Sequence, residues 1–140
     1  MNSFFRDIAI ERDYSENLAT IPCHITELRQ VFVSLFRHAC HSLGELDDPE
    51  NQPQMHIQAT QQDHFIVVRI HHNGMHIRLD DQQYIFEPLA SRSAGDKRYP
   101  VSSRLSFTHF IIADQHQGNI AVTSSEAAGT SFHLQLPLTG

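Results

Sequence analysis

Apolar residues recur along this chain with two different spacings, and each spacing names an element. In "DIAIERDYS", residues 7–15, Ile8 and Ile10 alternate with polar neighbours, which predicts a short strand. "IPCHI" then resets the chain. From Thr26 onward, Leu28, Val31, Phe32, Leu35, Phe36, Ala39 and Leu43 return at every third or fourth position, predicting a helix capped by Thr26 and closed by Gly44. The acidic, proline-bearing "GELDDPENQPQ" has the composition of an exposed loop. "MHIQATQ" and "HFIVVRIHH" alternate on either side of "QD", an antiparallel hairpin pattern, and Asn73-Gly74 marks the next turn.

Beyond that turn "LDDQQYIFEPL" predicts a short helix stopped by Pro88, while "ASRSAGDKRYPVSS" shows no apolar period and reads as loop. "SRLSFTHFIIADQHQG" carries a helical stripe at Leu105, Thr108 or His109, Ile112 and Ala113, with Gly118 placed to end it. "NIAVTSSEAAGTSFHLQLPL" gives two alternating strands joined by a small-residue turn at Ala127 to Gly129. No repeat or linker divides the chain. This order predicts an α+β fold: one domain over residues 1–140, a two-layer α/β sandwich whose mixed, mostly antiparallel sheet carries its helices on one face.

Composition narrows the function classes. The 140 residues, 40% apolar, are enough for a real core. A formal charge of −6 and the lack of any Lys/Arg run argue against nucleic acid as a partner. "FIVVRI" is far too short to span a bilayer and no apolar leader opens the chain, so no membrane segment is expected. Cys23 and Cys40 fit no C-x-x-C pattern, and a reduced, cytoplasmic setting follows. The unusual count is eleven histidines, three of them in "HHNGMH" at the end of a strand. Histidine there invites metal affinity or pH-dependent charge.

Over more than 110 residues the chain resembles the catalytic, ATP-binding domain of bacterial sensor histidine kinases, within the ATPase superfamily that includes gyrase and mismatch-repair proteins. The likeness runs through "IERDYSENLATIPCHITELRQVFVSLFRHACHSL", nearest to nitrogen-regulation-type kinases, then "NG" with Ile77, "IFEPL", and "FIIADQHQGNIAVTSSEAAGTSFHLQLPL" in family order. The resemblance implies ATP with magnesium as the family ligand, and a kinase helical hairpin or a receiver (response-regulator) protein as partner. The hairpin with the phosphoryl-accepting histidine has no match here, so a chain that cannot phosphorylate itself, and a monomer, are expected.

The pocket positions depart from the family pattern. Two asparagines one helical turn apart, the second a magnesium ligand, are replaced by Ser34 and His38. Imidazole nitrogen substitutes poorly for amide oxygen on a hard cation. The adenine box D-x-G-x-G becomes His72, Asn73, Gly74, Met75, His76, losing the aspartate and putting bulk at its second glycine. In the phosphate-cradling box Ser103 and Leu105 stand where glycines let backbone N–H groups approach phosphates, and Arg104 is left as a lone cation.

These residues also have ordinary readings. His38 among apolar neighbours is an ordinary partly buried histidine, His71 and His72 alternate between the two faces of a strand, and Phe32 and Phe36 are core. A metal reading requires His38, His72 and His76 to converge. The pattern as a whole predicts a degenerate kinase-type ATPase domain, with no cofactor expected, acting as a non-catalytic interaction or regulatory module in two-component signalling. One alternative is an active, divergent ATP-binding domain using Asn73, Gly74, Arg92, Lys97 or Arg98. Another is a metal or small-molecule sensor that reuses the cavity.

Overall fold

The computed structural model describes residues 8–44, 52–82, 85–86 and 105–138. The acidic loop 45–50, the end of "IFEPL", and Arg92, Lys97, Arg98, Ser103 and Arg104 lie outside the described residues.

Period-two alternation produces the sheet. Strands β1 (Ala9–Tyr14), β2 (Gln54–Gln62), β3 (Phe65–His72), β4 (Asn119–Ser125) and β5 (Gly129–Pro137) lie in the order β1-β2-β3-β5-β4. β1 pairs parallel with β2, starting at Ala9 opposite Gln54, and every other pair is antiparallel. The parallel pair needs a crossover, and helix α1 (Ile25–Gly44) supplies it. In β3 Ile66, Val68, Ile70 and His72 are buried while Phe65, Val67, Arg69 and His71 are half-buried on the opposite face. Phe132, Leu134 and Leu136 of β5 extend the apolar face. Val31, Leu35, Ala39 and Leu43 of α1 close over it together with Ile111 and Ile112, giving one core under a single helical layer.

Several boundaries differ from the sequence expectations. α1 begins at Ile25, so Thr26 lies inside the helix; His24 precedes it and its carbonyl accepts the Leu28 N–H at 2.9 Å. The short helix after the Asn-Gly turn, α2, covers Leu79–Gln82. The last helix begins as α3 (Ser106–His109) and continues as a π-helical segment, Phe110–Gln115, closed by the His116 N–H on Ile111 O at 3.1 Å. Ile111 and Ile112 are buried in the core and Ala113 is half-buried. Gln117 takes the left-handed conformation, with φ of 57°. Gly118 matters for a different reason: a Cβ there would collide with the Gln135 carbonyl of β5. No helix among the described residues is long and apolar enough to cross a membrane.

Candidate functional site

The site is assembled where the C-terminal half of α1 meets the end of β3 and the Asn-Gly turn. The α1 stripe that buries Leu35, Ala39 and Leu43 also carries His38 inward, and the β3 alternation that buries Ile70 carries His72 inward. Both rings pack against Phe132: His38 edge-on at 5.4 Å and 87°, His72 tilted at 6.5 Å and 39°. His72 is completely buried, with 0% exposure. Its Nδ1 accepts the Gly74 N–H at 3.1 Å. In the neutral ring the proton therefore sits on Nε2, a buried donor with no hydrogen-bond partner.

Burial dominates the electrostatics. His38 is lowered from 6.5 to about 4 by desolvation and then by the charge of His41. His72 is lowered to about 4 by desolvation, then by His38 and His71. At neutral pH both rings are uncharged.

The turn residues have structural work of their own. Asn73 Oδ1 accepts the Gln54 N–H at 2.7 Å, and its Nδ2 donates to Gln52 O at 2.9 Å, which ties the turn to the start of β2. A Cβ on Gly74 would lie 2.6 Å from the Ser42 carbonyl carbon and 2.7 Å from Leu43 N. Only glycine lets the turn rest on α1, where the Met75 N–H donates to Ser42 O at 3.0 Å.

Of the remaining sequence candidates, Ser34 and His76 are half-buried, and Ser103 lies outside the described residues. Leu105 is a core residue. Its side chain is in the core at 2% exposure, with φ of −120°, and its N–H donates to Ile85 O at 2.8 Å. That hydrogen bond ties the start of α3 to Ile85. His38, His72 and His76 do not form a ligand set, since no group of three or more His, Cys, Asp or Glu among the described residues could hold a metal ion.

A polar network beside the turn had no sequence signal. Ser124 Oγ of β4 accepts the Ile77 N–H at 2.8 Å and shares a hydrogen bond with Thr130 Oγ1 of β5 at 2.6 Å. Gln82 of α2 donates from Nε2 to Ile77 O at 2.9 Å and to Ser124 O at 3.0 Å. Asp81, 7% exposed, has one carboxylate oxygen without a hydrogen-bond partner. Ser124 and Thr130 become neighbours through the β4–β5 register, and Gln82 reaches them from α2.

This arrangement, a helix and a strand-turn over one end of a mostly antiparallel sheet, has counterparts. Residues 23–140 match the family described as histidine kinase-, DNA gyrase B-, and HSP90-like ATPase. The chain belongs to this ATPase family. It is 26% identical over 132 residues to sporulation kinase E of Bacillus subtilis (strain 168), covering 94% of this chain and 16% of that protein. It is also 26% identical over 133 residues to the alginate biosynthesis sensor protein KinB of Pseudomonas aeruginosa, covering 95% of this chain and 21% of that protein. This chain spans only a minor part of these relatives. Among solved structures, the catalytic domain of the histidine kinase ThkA superposes with a TM-score of 0.77 at 21% identity, covering 95% of this chain and 82% of that one. ThkA in complex with the response regulator protein TrrA gives 0.74 at 21% identity, covering 94% of this chain and 34% of that one. These likenesses show that the fold is that of histidine kinase catalytic domains.

Proposed function

We propose that this domain keeps the histidine-kinase ATPase fold without its magnesium-nucleotide chemistry, and serves two-component signalling as a non-catalytic interaction or regulatory module. The observation that carries the reading is His72. At the position of the family aspartate, which accepts a hydrogen bond from the adenine amino group, stands a neutral, fully buried ring. Its one acceptor nitrogen is taken by Gly74 N–H, leaving only a donor, and a donor cannot receive an amino proton.

Other positions support the same reading. His38, at the family's magnesium position, is an imidazole buried against Phe132 and offers no hard oxygen. The Leu105 N–H, in the phosphate box, is spent on Ile85 O. The Ile77 N–H and the Thr130 hydroxyl are both engaged by Ser124. The residues present do not fit magnesium-ATP as the family holds it. Nor does Asn73 favour a divergent active domain, because its side chain is occupied by Gln52 and Gln54. Free Cys23 and Cys40 support a reducing, cytoplasmic setting, and the ThkA–TrrA complex supports a receiver-type partner.

Thermal unfolding with and without Mg²⁺-ATP tests this. A ligand at a hundred times its Kd adds about 2.7 kcal/mol, on the order of 8 °C for a domain of this size. No shift at millimolar Mg²⁺-ATP is expected; a shift of that size overturns the proposal.

A further inference from the structure

Opposite the helical layer the sheet turns a polar face to solvent, and its residues follow from the register. Arg69 of β3 stands between Gln58 of β2 and His133 of β5. The adjacent row runs Glu11, His56, His71, Ser131 and Thr123 across all five strands. Arg69 donates from Nη1 to Gln58 Oε1 at 3.3 Å and pairs with no carboxylate among the described residues. The other N–H donors of this half-buried, always-charged fork have no partner among the described residues.

Two imidazoles flank it, each held by one nitrogen. His71 Nδ1 shares a hydrogen bond with Ser131 Oγ at 2.9 Å, and His133 Nε2 with Thr123 Oγ1 at 3.1 Å. Their second nitrogens have no such bond among the described residues. Burial, then Arg69, then His56 push the His71 pKa down; burial, then Arg69, push His133 down. Protonating either ring sets positive charge against the guanidinium, a cost that a bound anion reverses.

We propose that this face binds a small, freely diffusing tetrahedral dianion of the phosphate or sulfate class on the Arg69 fork, between His71 and His133, and binds it more tightly as the pH falls. The fork supplies paired donors to two oxygens and the imidazoles supply donors to the others. The remaining charges on this face set the size limit. Glu11 and Asp13 face it from β1, and Glu11 already lies 3.8 Å from His56 Nε2. β4 contributes only uncharged residues, Ala121 and Thr123 among them. These two carboxylates on the same face oppose an extended polyanion and leave the Arg69 fork to a single anionic group.

The test is a sulfate titration of the folded domain at ionic strength held constant with chloride, following the His71 and His133 ring signals by NMR at about pH 7.5 and about pH 5. In the folded domain His38 and His72 stay mostly neutral at the lower pH, and circular dichroism at that pH establishes that the domain titrated is folded. Sulfate keeps its charge across this range, so any change in affinity belongs to the protein. Saturable shifts are expected, with binding about tenfold tighter at the lower pH. Arg69→Gln should abolish binding and Arg69→Lys should weaken it. A His71→Asn, His133→Asn double variant should keep the affinity seen near pH 7.5 and lose the tightening. Shifts that do not saturate, that survive Arg69→Gln, or that are the same at both pH values overturn the proposal. A site that takes a phosphoserine peptide and not sulfate overturns the free-ion assignment.

Discussion

Lowering the pH should unfold this domain through His38 and His72, and the size of the effect follows from their burial. In the unfolded chain both rings take up protons near 6.5; in the folded domain they do so near 4. Stability is therefore complete above about pH 6.5 and falls as the pH drops through that window, because only the unfolded state gains protons there. One such shift amounts to about 3 kcal/mol. The pair costs less than twice that, since part of the His72 shift is repulsion from a protonated His38. Against a total stability of about 5–15 kcal/mol this is a large share. His71 and His133, also lowered, act in the same direction. Urea unfolding followed by circular dichroism at a series of pH values would measure the slope, and His38→Leu, which keeps an apolar partner for Phe132, should remove roughly half of it. A stability that stays flat, or rises, between about pH 7 and pH 5 would refute buried, neutral imidazoles at these positions.

Two further substitutions test the packing around the turn. Gly74→Ala places a methyl group against the Ser42 and Leu43 backbone, which cannot retreat without moving α1, and should lower stability by about 1–3 kcal/mol in thermal unfolding. Ser124→Ala strips the Ile77 N–H and the Thr130 hydroxyl of their shared partner; a loss of about 1–3 kcal/mol and faster hydrogen exchange at the Ile77 amide are expected.

The legible parts of this fold were those set by local periodicity. The run "HFIVVRIHH" identified the strand and set His71 and His72 on opposite faces; that His72 is the buried one, with Ile66, Val68 and Ile70, comes from the fold. The three-four stripe gave α1 to within one residue of its start. The π-helical segment was not legible, because burial of Thr108, Ile111 and Ile112 at i, i+3 and i+4 is equally the pattern of a regular α-helix. Family position placed Leu105 in a box but carried no packing information; only the fold shows a core leucine whose N–H donates to Ile85 O. The Ser124, Thr130 and Gln82 network depends on two strands and a helix distant in sequence, so no local pattern could announce it. The histidines fall between these cases. Their positions were readable, but the closure of His72 Nδ1 onto Gly74 N–H is a property of the folded turn.

Nucleotide affinity is the most direct test of the proposed function. Isothermal titration of the domain with ATP in excess Mg²⁺ should give no saturable heat at millimolar nucleotide, because the acceptor that would read adenine is buried and already bonded. A dissociation constant on the order of micromolar would contradict the central claim that the fold has outlasted its nucleotide site.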